Sequence, residues 1–551
     1  MTRQKREKVF ATSIACAVFL LLLVFTRSPV LNDTYYYAVD IHANLGTSSP
    51  WSSPLLWDPG HLLWRPLARL IAPPLLPLLK RLVGGDAQMA VTLLLISLSS
   101  VAMLCSVLFL HFILIRTTGR AWLSLFSIVG FMCSNACLCA LHSGTPYPAG
   151  LGCLVAGIWL AQKDPQATNL KRAALAGLCG GVAVCFWFPY IVALPALLCL
   201  AIFNQRNHRV RTGLALTMSA ATVVILLLWL GAHFRGVDSF SSFRMWFTSA
   251  GHGTEQNRNF IRSLFGLPRA FLDMGQTGIR IKQFLFHDPY ANVKFGELFR
   301  LSFWEIGLFY TTLLALASIG LSSEGIKPLT VFCIALGGNV ALALVFEGGS
   351  TERYLPLFPF FFIAAGQCLS LKKSLLPARI LVGSLLLLII LGNVPAFSAS
   401  RIHAEQDQAA NRVTPLLPLP HASRIYTIGE DNVFELRVNA PLHEINRVGD
   451  YEVTGVYIPM MRTGHWKHNF ASGVLSVWEK GGEVWMTTRV LHAQPRREWN
   501  WVEGDDPNVA WKNIVNFFQP LDRGATVGGE DGFFLLPRSA INRATLTSLA
   551  N

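Results

Sequence analysis

The stretch "VFATSIACAVFLLLLVFT" (residues 9–26) decides the class of fold. It is an unbroken apolar run close to the length, about 20 residues, that a helix needs to cross a bilayer. The basic residues before it (1–8) make it resemble a signal peptide. However, no small-x-small cleavage site follows and more apolar runs come later, so we interpret it as a retained transmembrane helix.

Further apolar runs follow the first one, and together they predict an all-α polytopic membrane protein with about eleven transmembrane helices. The predicted spans are 9–26, 88–115, 121–140, 147–162, 173–188, 190–203, 212–234, 302–321, 328–346, 355–370 and 377–396. The composition agrees with this prediction. Only 14% of the 551 residues are charged, whereas a soluble protein carries roughly a quarter.

The distribution of charge predicts the topology. Residues 1–396 hold 31 Lys and Arg against 15 Asp and Glu, whereas residues 397–551 hold 15 against 17. If the N-terminus is cytoplasmic, every short inner connection carries Lys or Arg, as the positive-inside rule requires. These connections are "RTTGR", "KDPQATNLKR", "NQRNHRVR", "SSEGIK" and "LKKSLLPAR". An odd number of spans then places the C-terminus outside.

Basic loops beside apolar spans indicate membrane lipid as a partner, and no motif indicates nucleic acid.

The chain divides into a membrane domain, residues 1–396, and a soluble extracytoplasmic α/β domain, residues 397–551. The membrane domain has two long outer loops, 27–87 and 235–301. In the second domain, "SRIYTIG", "GEVWMTTRVL" and "GFFLLP" predict strands, and "DDPNVAWKNIVNFF" predicts a helix. All eleven cysteines lie at or before Cys368. The outer domain therefore folds without disulfides.

The first outer loop contains a second apolar segment, "LLWRPLARLIAPPLLPLLKRLV" (residues 62–83). Pro66, Pro73, Pro74 and Pro77 interrupt it, and proline inside a helix removes a hydrogen bond and clashes with the preceding turn. The segment therefore predicts several short helices lying at the membrane interface and not one continuous helix.

Polar side chains from separate parts of the sequence converge on the predicted outer face of the membrane. Ionisable groups at such places are costly and tend to be functional. A carboxylate there can act as a general base on a hydroxyl, and an arginine can hold a phosphate bidentately. This combination indicates group transfer from a lipid-linked phosphate. The polar residues are Asp33, Asp40, Asp58, His61, Arg65, His142, Tyr147, Glu347, Glu352, Arg353 and Tyr354.

Short motifs in this set resemble those of the GT-C superfamily, the membrane glycosyltransferases that use polyprenyl-phosphate sugars. Protein mannosyltransferases and bacterial aminoarabinose transferases belong to this superfamily. The resemblance covers roughly residues 1–396. It is carried by an acidic residue soon after the first helix and by motifs on the same side of the membrane. These are "LNDTYYYAVD", "DPGHLLWRPL", "TPYPAG" and "ERYLPLFPF".

The resemblance implies a role for several of these residues. Asp33 takes the position of a general base that deprotonates an acceptor hydroxyl, which attacks the sugar with inversion. Arg353 would hold the donor phosphate, and Tyr354 would line the donor site. The other residues assigned to substrate binding are Asp58, His61, Arg65, His142, Tyr147 and Glu352. The acidic pair of the protein mannosyltransferases is here Asn32–Asp33, which argues against protein mannosylation.

A divalent cation, Mg or Mn, is the only cofactor that the resemblance suggests. Some members of the superfamily hold such an ion on loop carboxylates, and Asp33 with Asp58 or Glu347 could do so. No spacing of ligands in the sequence establishes it.

Several structural alternatives remain open. Asp33 could only cap a helix, because "NDT" before apolar residues is cap-like. Arg353 could pair with Glu352 or Glu347. The three tyrosines at 35–37 are interpreted as an interfacial aromatic belt, and Asp40 as a solvated loop residue.

The rival functions are a transporter or flippase of lipid-linked glycans and a scaffold with a glycan-binding outer domain. The sugar, the acceptor and the oligomeric state stay open. We favour a bacterial inner membrane with the C-terminal domain in the periplasm.

Overall fold

The computed structural model describes most of the chain, with gaps between the ranges. The described residues are 3–26, 33–45, 51, 56–83, 87–162, 170–204, 208–248, 260–273, 281, 294–322, 327–346, 348–371, 375–413, 423–427, 452–455, 466–492, 515–528 and 532–550. The chain forms two compact units. The first comprises Met1–Pro73, Leu93–Ile281 and Leu298–Arg401, and the second comprises Pro74–Thr92, Lys282–Glu297 and Ile402–Asn551.

Helices account for nearly all regular structure before residue 414. They are α1 (Arg3–Phe25), α2 (Thr34–Leu45), α3 (Trp64–Leu82), α4 (Ala87–Thr118), α5 (Ala121–Met132), α6 (Asn135–Leu141), α7 (Tyr147–Gln162), α8 (Leu170–Phe186), α9 (Leu194–Phe203), α10 (Arg209–Phe234), α11 (Phe240–Thr248), α12 (Phe260–Phe271), α13 (Phe295–Ser322), α14 (Lys327–Val345), α15 (Phe358–Ser370) and α16 (Leu376–Val413). Two 3₁₀ helices, Phe188–Ala193 and Thr351–Leu357, precede α9 and α15.

Each predicted span coincides with helical structure. Within the described ranges, six helices are long and apolar enough to cross a membrane. They are Arg6–Phe25, Ala90–Thr118, Arg209–Phe234, Phe303–Leu321, Lys327–Val345 and Leu376–Ser398. The bent pair α5–α6 makes a seventh if it is one span. Shorter apolar helices occupy the remaining predicted spans. The prediction of a multi-pass, all-α membrane protein is therefore confirmed.

The third predicted span is broken in its middle. Helices α5 and α6 meet at an angle of 69°. A break of this kind exposes backbone carbonyls, which need hydrogen-bond donors in an apolar surrounding. The buried Asn393 amide of α16 donates to Cys133 O, in the break, at 2.8 Å and to Phe271 O, at the end of α12, at 2.7 Å. Asn135 of α6 donates to Arg269 O, also in α12, at 2.7 Å. Asn393 therefore satisfies a carbonyl of the break, and both amides join this region to α12.

The prediction for residues 62–83 is wrong, because one helix, α3, runs from Trp64 to Leu82. Pro66 lies in its first turn, where backbone N–H groups have no partner within the helix. The three later prolines each remove one hydrogen bond, but their fixed φ is compatible with a helix. Burial of Trp64, Ala68 and Ala72 on one face stabilises the element and outweighs those losses.

The second unit contains a small mixed sheet of β1 (Arg424–Thr427), β2 (Glu452–Gly455), β3 (Val484–Thr487), β4 (Thr526–Val527) and β5 (Phe533–Leu536). The strand order is β2-β1-β3-β5-β4. Strand β1 pairs in parallel with β2 and β3, while β5 runs antiparallel to β3 and β4. Among the described residues of this part of the chain, helices α17 (Trp466–Glu479), α18 (Arg489–His492) and α19 (Ala540–Ala550) accompany the strands, and residues 515–518 are also helical. The predicted α/β class is therefore confirmed.

Individual predictions in this region have different outcomes. The strands in "SRIYTIG" and "GFFLLP" are present as β1 and β5. "GEVWMTTRVL" is a strand only over β3, because a short helix begins at Arg489. The predicted helix from Asp505 lies outside the described residues except for its helical end, 515–518. The boundary at 396/397 stays a prediction, and α16 runs without interruption across it.

Candidate functional site

Three separate parts of the sequence meet at the residues that follow α1. Asp33 directly precedes α2, and Thr34 is the first residue of that helix. The Thr34 hydroxyl accepts the Gly144 N–H at 2.8 Å, and Gly144 O accepts the Trp64 indole N–H at 3.0 Å. The loop between α6 and α7 therefore fixes the first turns of both α2 and α3.

Gly144 allows this junction because nothing larger fits. A Cβ atom there would lie 2.6 Å from Leu95 Cβ and 2.6 Å from Thr34 Cγ2. Real Cβ atoms do not approach neighbours so closely. Position 144 therefore requires glycine, because only a residue without a side chain fits there.

Arg65 lies at the centre of a buried ion-pair cluster. Its Nε is 2.8 Å from Asp40 Oδ2, and its Nη1 donates to Asp58 Oδ2 at 3.1 Å. Burial alone lowers the pKa of the Arg65 guanidinium, but Tyr37, Asp58 and Asp40 raise it, and the net shift is upward. Arg65 is thus a permanent cation joining α2 to the loop before α3. The interpretation of Asp40 as a solvated loop residue is wrong.

Tyr37 lies between this cluster and Asp33. The Arg65 guanidinium carbon is 4.6 Å from the centroid of the Tyr37 ring, and the His61 ring packs edge-on at 5.6 Å. The Tyr37 hydroxyl donates to Asp33 Oδ2 at 3.3 Å. Burial, followed by the charge of Asp33, raises the pKa of Tyr37 well above its ordinary value. The phenol therefore stays protonated and acts as a hydrogen-bond donor.

Burial also corrects the interpretation of Tyr37 as an interfacial anchor. Its side chain is 1% exposed, which is incompatible with a place in an aromatic belt at the water interface.

His61 is positioned by the tight turn in "DPGH". Asp58 Oδ1 accepts the Gly60 N–H at 2.7 Å, and the His61 N–H donates to Asp58 O at 2.9 Å. The His61 Nδ1 atom lies 3.4 Å from Asp58 Oδ2. One carboxylate therefore holds the turn, contacts the imidazole and pairs with Arg65.

A row of rings connects this cluster with Arg353. The centroids of His61 and Tyr147 are 6.3 Å apart, and those of Tyr147 and Trp187 are 4.6 Å apart. The Arg353 guanidinium carbon lies 5.5 Å from the Trp187 ring and 4.4 Å from the Phe346 ring. We call Tyr37, His61, Tyr147 and Trp187 the aromatic row. It brings Asp33 and Arg353 into one continuous assembly.

Trp187 is the member of this assembly that sequence reasoning missed. It stands in "CFWFPY", at the C-terminal end of α8 and directly before the 3₁₀ helix at 188–193. Tryptophans at such places commonly anchor a helix at the interface. Its almost complete burial, 2% exposed, distinguishes it from an anchor, and the sequence carries no signal of that burial.

Tyr354 and His142 lie in other surroundings. The buried Tyr354 hydroxyl donates to Gly348 O at 2.7 Å and to Ser263 O at 3.3 Å. His142 Nε2 is 2.9 Å from the Thr26 hydroxyl, which joins the end of α6 to the end of α1. These contacts stabilise the fold around the site. The substrate-binding roles assigned to both residues stay predictions.

The last two predicted residues are Glu352 and the metal-ligand candidate Glu347. Glu352 is half-buried in the first turn of the 3₁₀ helix that carries Arg353. Glu347 lies outside the described residues. Among the residues that are described, no group of three or more His, Cys, Asp or Glu side chains is arranged to hold a metal ion. The divalent cation stays a prediction.

The membrane helices and the small C-terminal sheet together define a multi-pass membrane protein. Its fold is similar to that of ArnT from Cupriavidus metallidurans. The structure of that protein bound to undecaprenyl phosphate matches with a TM-score of 0.50 and 12% identity, over 98% of both chains. Its apo state matches with a TM-score of 0.51 and 13% identity, also over 98% of both chains.

The fold predicted from the motifs is therefore confirmed. No protein-family model and no curated protein sequence matches the chain.

Proposed function

We propose that the protein is an integral membrane glycosyltransferase. It moves a sugar from a polyprenyl-phosphate donor to a hydroxyl of an extracytoplasmic envelope glycan, lipid or protein. The observation that carries this proposal is the assembly of a carboxylate, Asp33, and a guanidinium, Arg353, at the two ends of the aromatic row. The fold adds support, because an ArnT structure of the same fold is bound to undecaprenyl phosphate.

The reaction follows from the chemistry of these groups. Asp33 accepts the proton of the acceptor hydroxyl as its oxygen attacks the anomeric carbon of the donor sugar. The bond between that carbon and the phosphate oxygen breaks, and polyprenyl phosphate leaves with the electron pair. Attack from the side opposite the leaving group inverts the anomeric configuration. Arg353 stabilises the charge that develops on the phosphate.

The rings between the two residues have a separate role. Aromatic faces offer large contact area with little conformational freedom to lose. Tyr147 and Trp187, 6% and 2% exposed, pack against each other and therefore suit a role that fixes His61 and Arg353 relative to one another. In the proposed topology the N-terminus is cytoplasmic and this assembly faces the periplasm of a bacterial inner membrane.

The test is transfer of a labelled sugar by the purified full-length protein in lipid nanodiscs. Polyprenyl-phosphate sugars are supplied as donors and envelope lipids, glycans and peptides as acceptors, with and without Mg²⁺ or Mn²⁺. Asp33→Asn should lower kcat by about 10²–10⁴-fold, the usual contribution of a general base. Arg353→Gln should raise the donor KM or lower kcat by about tenfold or more.

Matched controls exist in the outer loop after α10. Asp238 and Arg235 are both exposed, and Asp238→Asn and Arg235→Gln should leave transfer unchanged within about twofold. Full activity of Asp33→Asn would overturn the assignment of the base. If the wild-type protein transfers from no donor but moves lipid-linked glycans across vesicle bilayers, the transporter alternative replaces the enzyme.

A further inference from the structure

We propose that Tyr37 and Arg65 are positioning residues for Asp33, in place of the direct substrate contact predicted for Arg65. Tyr37 holds the Asp33 carboxylate by a hydrogen bond, and Arg65 fixes the Tyr37 ring. The inference rests on the proposed function, because it assigns these residues to the general base of that reaction.

The charge of Arg65 is engaged by carboxylates of the protein itself. A guanidinium that binds a phosphate must offer its charge and its N–H groups to the ligand. In Arg65 the Nε and Nη1 atoms face two carboxylates, Asp40 and Asp58, which come from different sequence segments. The cluster carries no excess positive charge, and the Arg65 side chain is 8% exposed. Arg65 is therefore already engaged within the protein.

The flat face of the Arg65 guanidinium packs on Tyr37. It lies over the Tyr37 ring at 4.6 Å, within the range of a cation–π interaction. His61 packs against the same ring edge-on. A ring held on one side by a buried cation and on another by an imidazole has little freedom to rotate. The position of its hydroxyl is fixed accordingly.

The Tyr37 hydroxyl contacts the proposed base, Asp33. Asp33 is held twice by Tyr37, because the Tyr37 N–H donates to Asp33 O at 3.1 Å and the hydroxyl donates to Oδ2 at 3.3 Å. By holding Oδ2, this donor restricts rotation of the carboxylate that receives the proton of the acceptor hydroxyl. Tyr37 gives up no proton in the reaction. It only orients the oxygen that receives one.

The experiment compares Tyr37→Phe with the wild type in the nanodisc assay. This substitution keeps the ring, its contact with Arg65 and its contact with His61, and removes only the hydroxyl. We expect kcat to fall about tenfold while both KM values stay within about twofold, because only orientation of the base is lost. The midpoint of thermal unfolding should stay within about 2 °C.

Tyr426→Phe is the matched control. It also removes one buried tyrosine hydroxyl, in strand β1 of the second unit, where it accepts a hydrogen bond from Arg424 Nη1 at 3.3 Å, and it should leave kcat unchanged. An unchanged kcat in Tyr37→Phe would overturn the proposal. A rise in KM at constant kcat would overturn it as well, because Tyr37 would then contact substrate.

A double-variant measurement separates positioning from a general structural role. If the hydroxyl acts only through Asp33, adding Tyr37→Phe to Asp33→Asn should change the residual rate by less than about twofold. A further tenfold loss in that background would overturn the proposal, and this comparison remains valid even if Tyr37→Phe lowers stability. A wild-type protein without transfer activity overturns the proposed function and this inference together. An active wild type with an unaffected Tyr37→Phe overturns only the inference.

Discussion

A buried arginine costs free energy unless its charge is matched, and Arg65 meets this condition with two carboxylates. Asp40 belongs to α2, and Asp58 belongs to the loop before α3. The three side chains therefore hold together segments that are separated in sequence. This arrangement makes the ion pairs structurally necessary, because removal of the cation would leave two carboxylates facing each other in a buried place.

We predict that Arg65→Met destabilises the protein by about 3–5 kcal/mol, the cost of breaking a buried ion pair by removing one partner. The measurement is thermal unfolding in detergent, in which the readout is the fraction of protein that stays monodisperse at each temperature. Arg69→Met is the control, because the Arg69 Nε atom donates a hydrogen bond to a neutral carbonyl, Asn44 O, at 3.2 Å. Its expected cost is about 1 kcal/mol. Equal losses of stability in Arg65→Met and Arg69→Met would contradict a stabilising role for the ion-pair cluster of Arg65, Asp40 and Asp58.

Single residues of the site could be predicted from sequence where they carry charge. Asp33, Asp58, His61 and Arg353 stand out because ionisable groups beside apolar spans are rare. Tyr37 and Trp187 could not be recognised in this way. Aromatic residues at the ends of spans usually anchor the helix at the interface, and only the packing of other segments around them shows that they are buried.

The short loop between α6 and α7 is joined by hydrogen bonds to three other elements, α2, α3 and α4. Gly144 bonds to Thr34 at the start of α2 and to Trp64 at the start of α3. Ser99 of α4 donates to Thr145 O in the same loop at 2.6 Å. The orientation of α2, which follows Asp33, therefore depends on this loop.

We predict that Gly144→Ala destabilises the protein by about 1–3 kcal/mol, the usual cost of overpacking. It should also lower transfer activity, because the added methyl group displaces Thr34, the residue after Asp33. Gly383→Ala in α16 is the control, since nothing lies within 4 Å of a Cβ at that position. A helical alanine there should be neutral or stabilising by up to about 1 kcal/mol. Unchanged stability in Gly144→Ala would show that the loop adapts.

Helices could be predicted from apolar runs with good accuracy, but their continuity could not. The break between α5 and α6 and the continuity of α3 across its prolines both depend on partners distant in sequence. Asn393 stabilises the first, and burial of Trp64 and Ala72 favours the second. Strand order in the second unit is equally a matter of long-range pairing, which no local pattern encodes.

The whole molecule carries its basic residues unevenly, and this asymmetry predicts its orientation in the membrane. The connections predicted to lie inside contain Arg120 and His208, both exposed, whereas Ser241 and Thr547 are exposed on parts of the chain predicted to lie outside. The prediction rests on the preference of short basic loops for the cytoplasmic side.

We predict the labelling pattern of single cysteines introduced at these four positions. Ser241→Cys and Thr547→Cys should react with a membrane-impermeant maleimide in intact spheroplasts. Arg120→Cys and His208→Cys should react only after permeabilisation. The parent protein, whose native cysteines lie at or before Cys368, serves as the background control. Reaction of Thr547→Cys from the inside alone would contradict an odd number of spans.

The distance in sequence between Asp33 and Arg353 has a consequence for the order of assembly. Arg353 is synthesised roughly 320 residues after Asp33, which takes about 16–64 s at ribosomal rates of 5–20 residues per second. During that interval the nascent chain completes the aromatic row, from Tyr37 to Trp187, but still lacks Arg353. The two groups meet only after most helices have been inserted, so a chain whose synthesis stops early has the acid without its cationic counterpart.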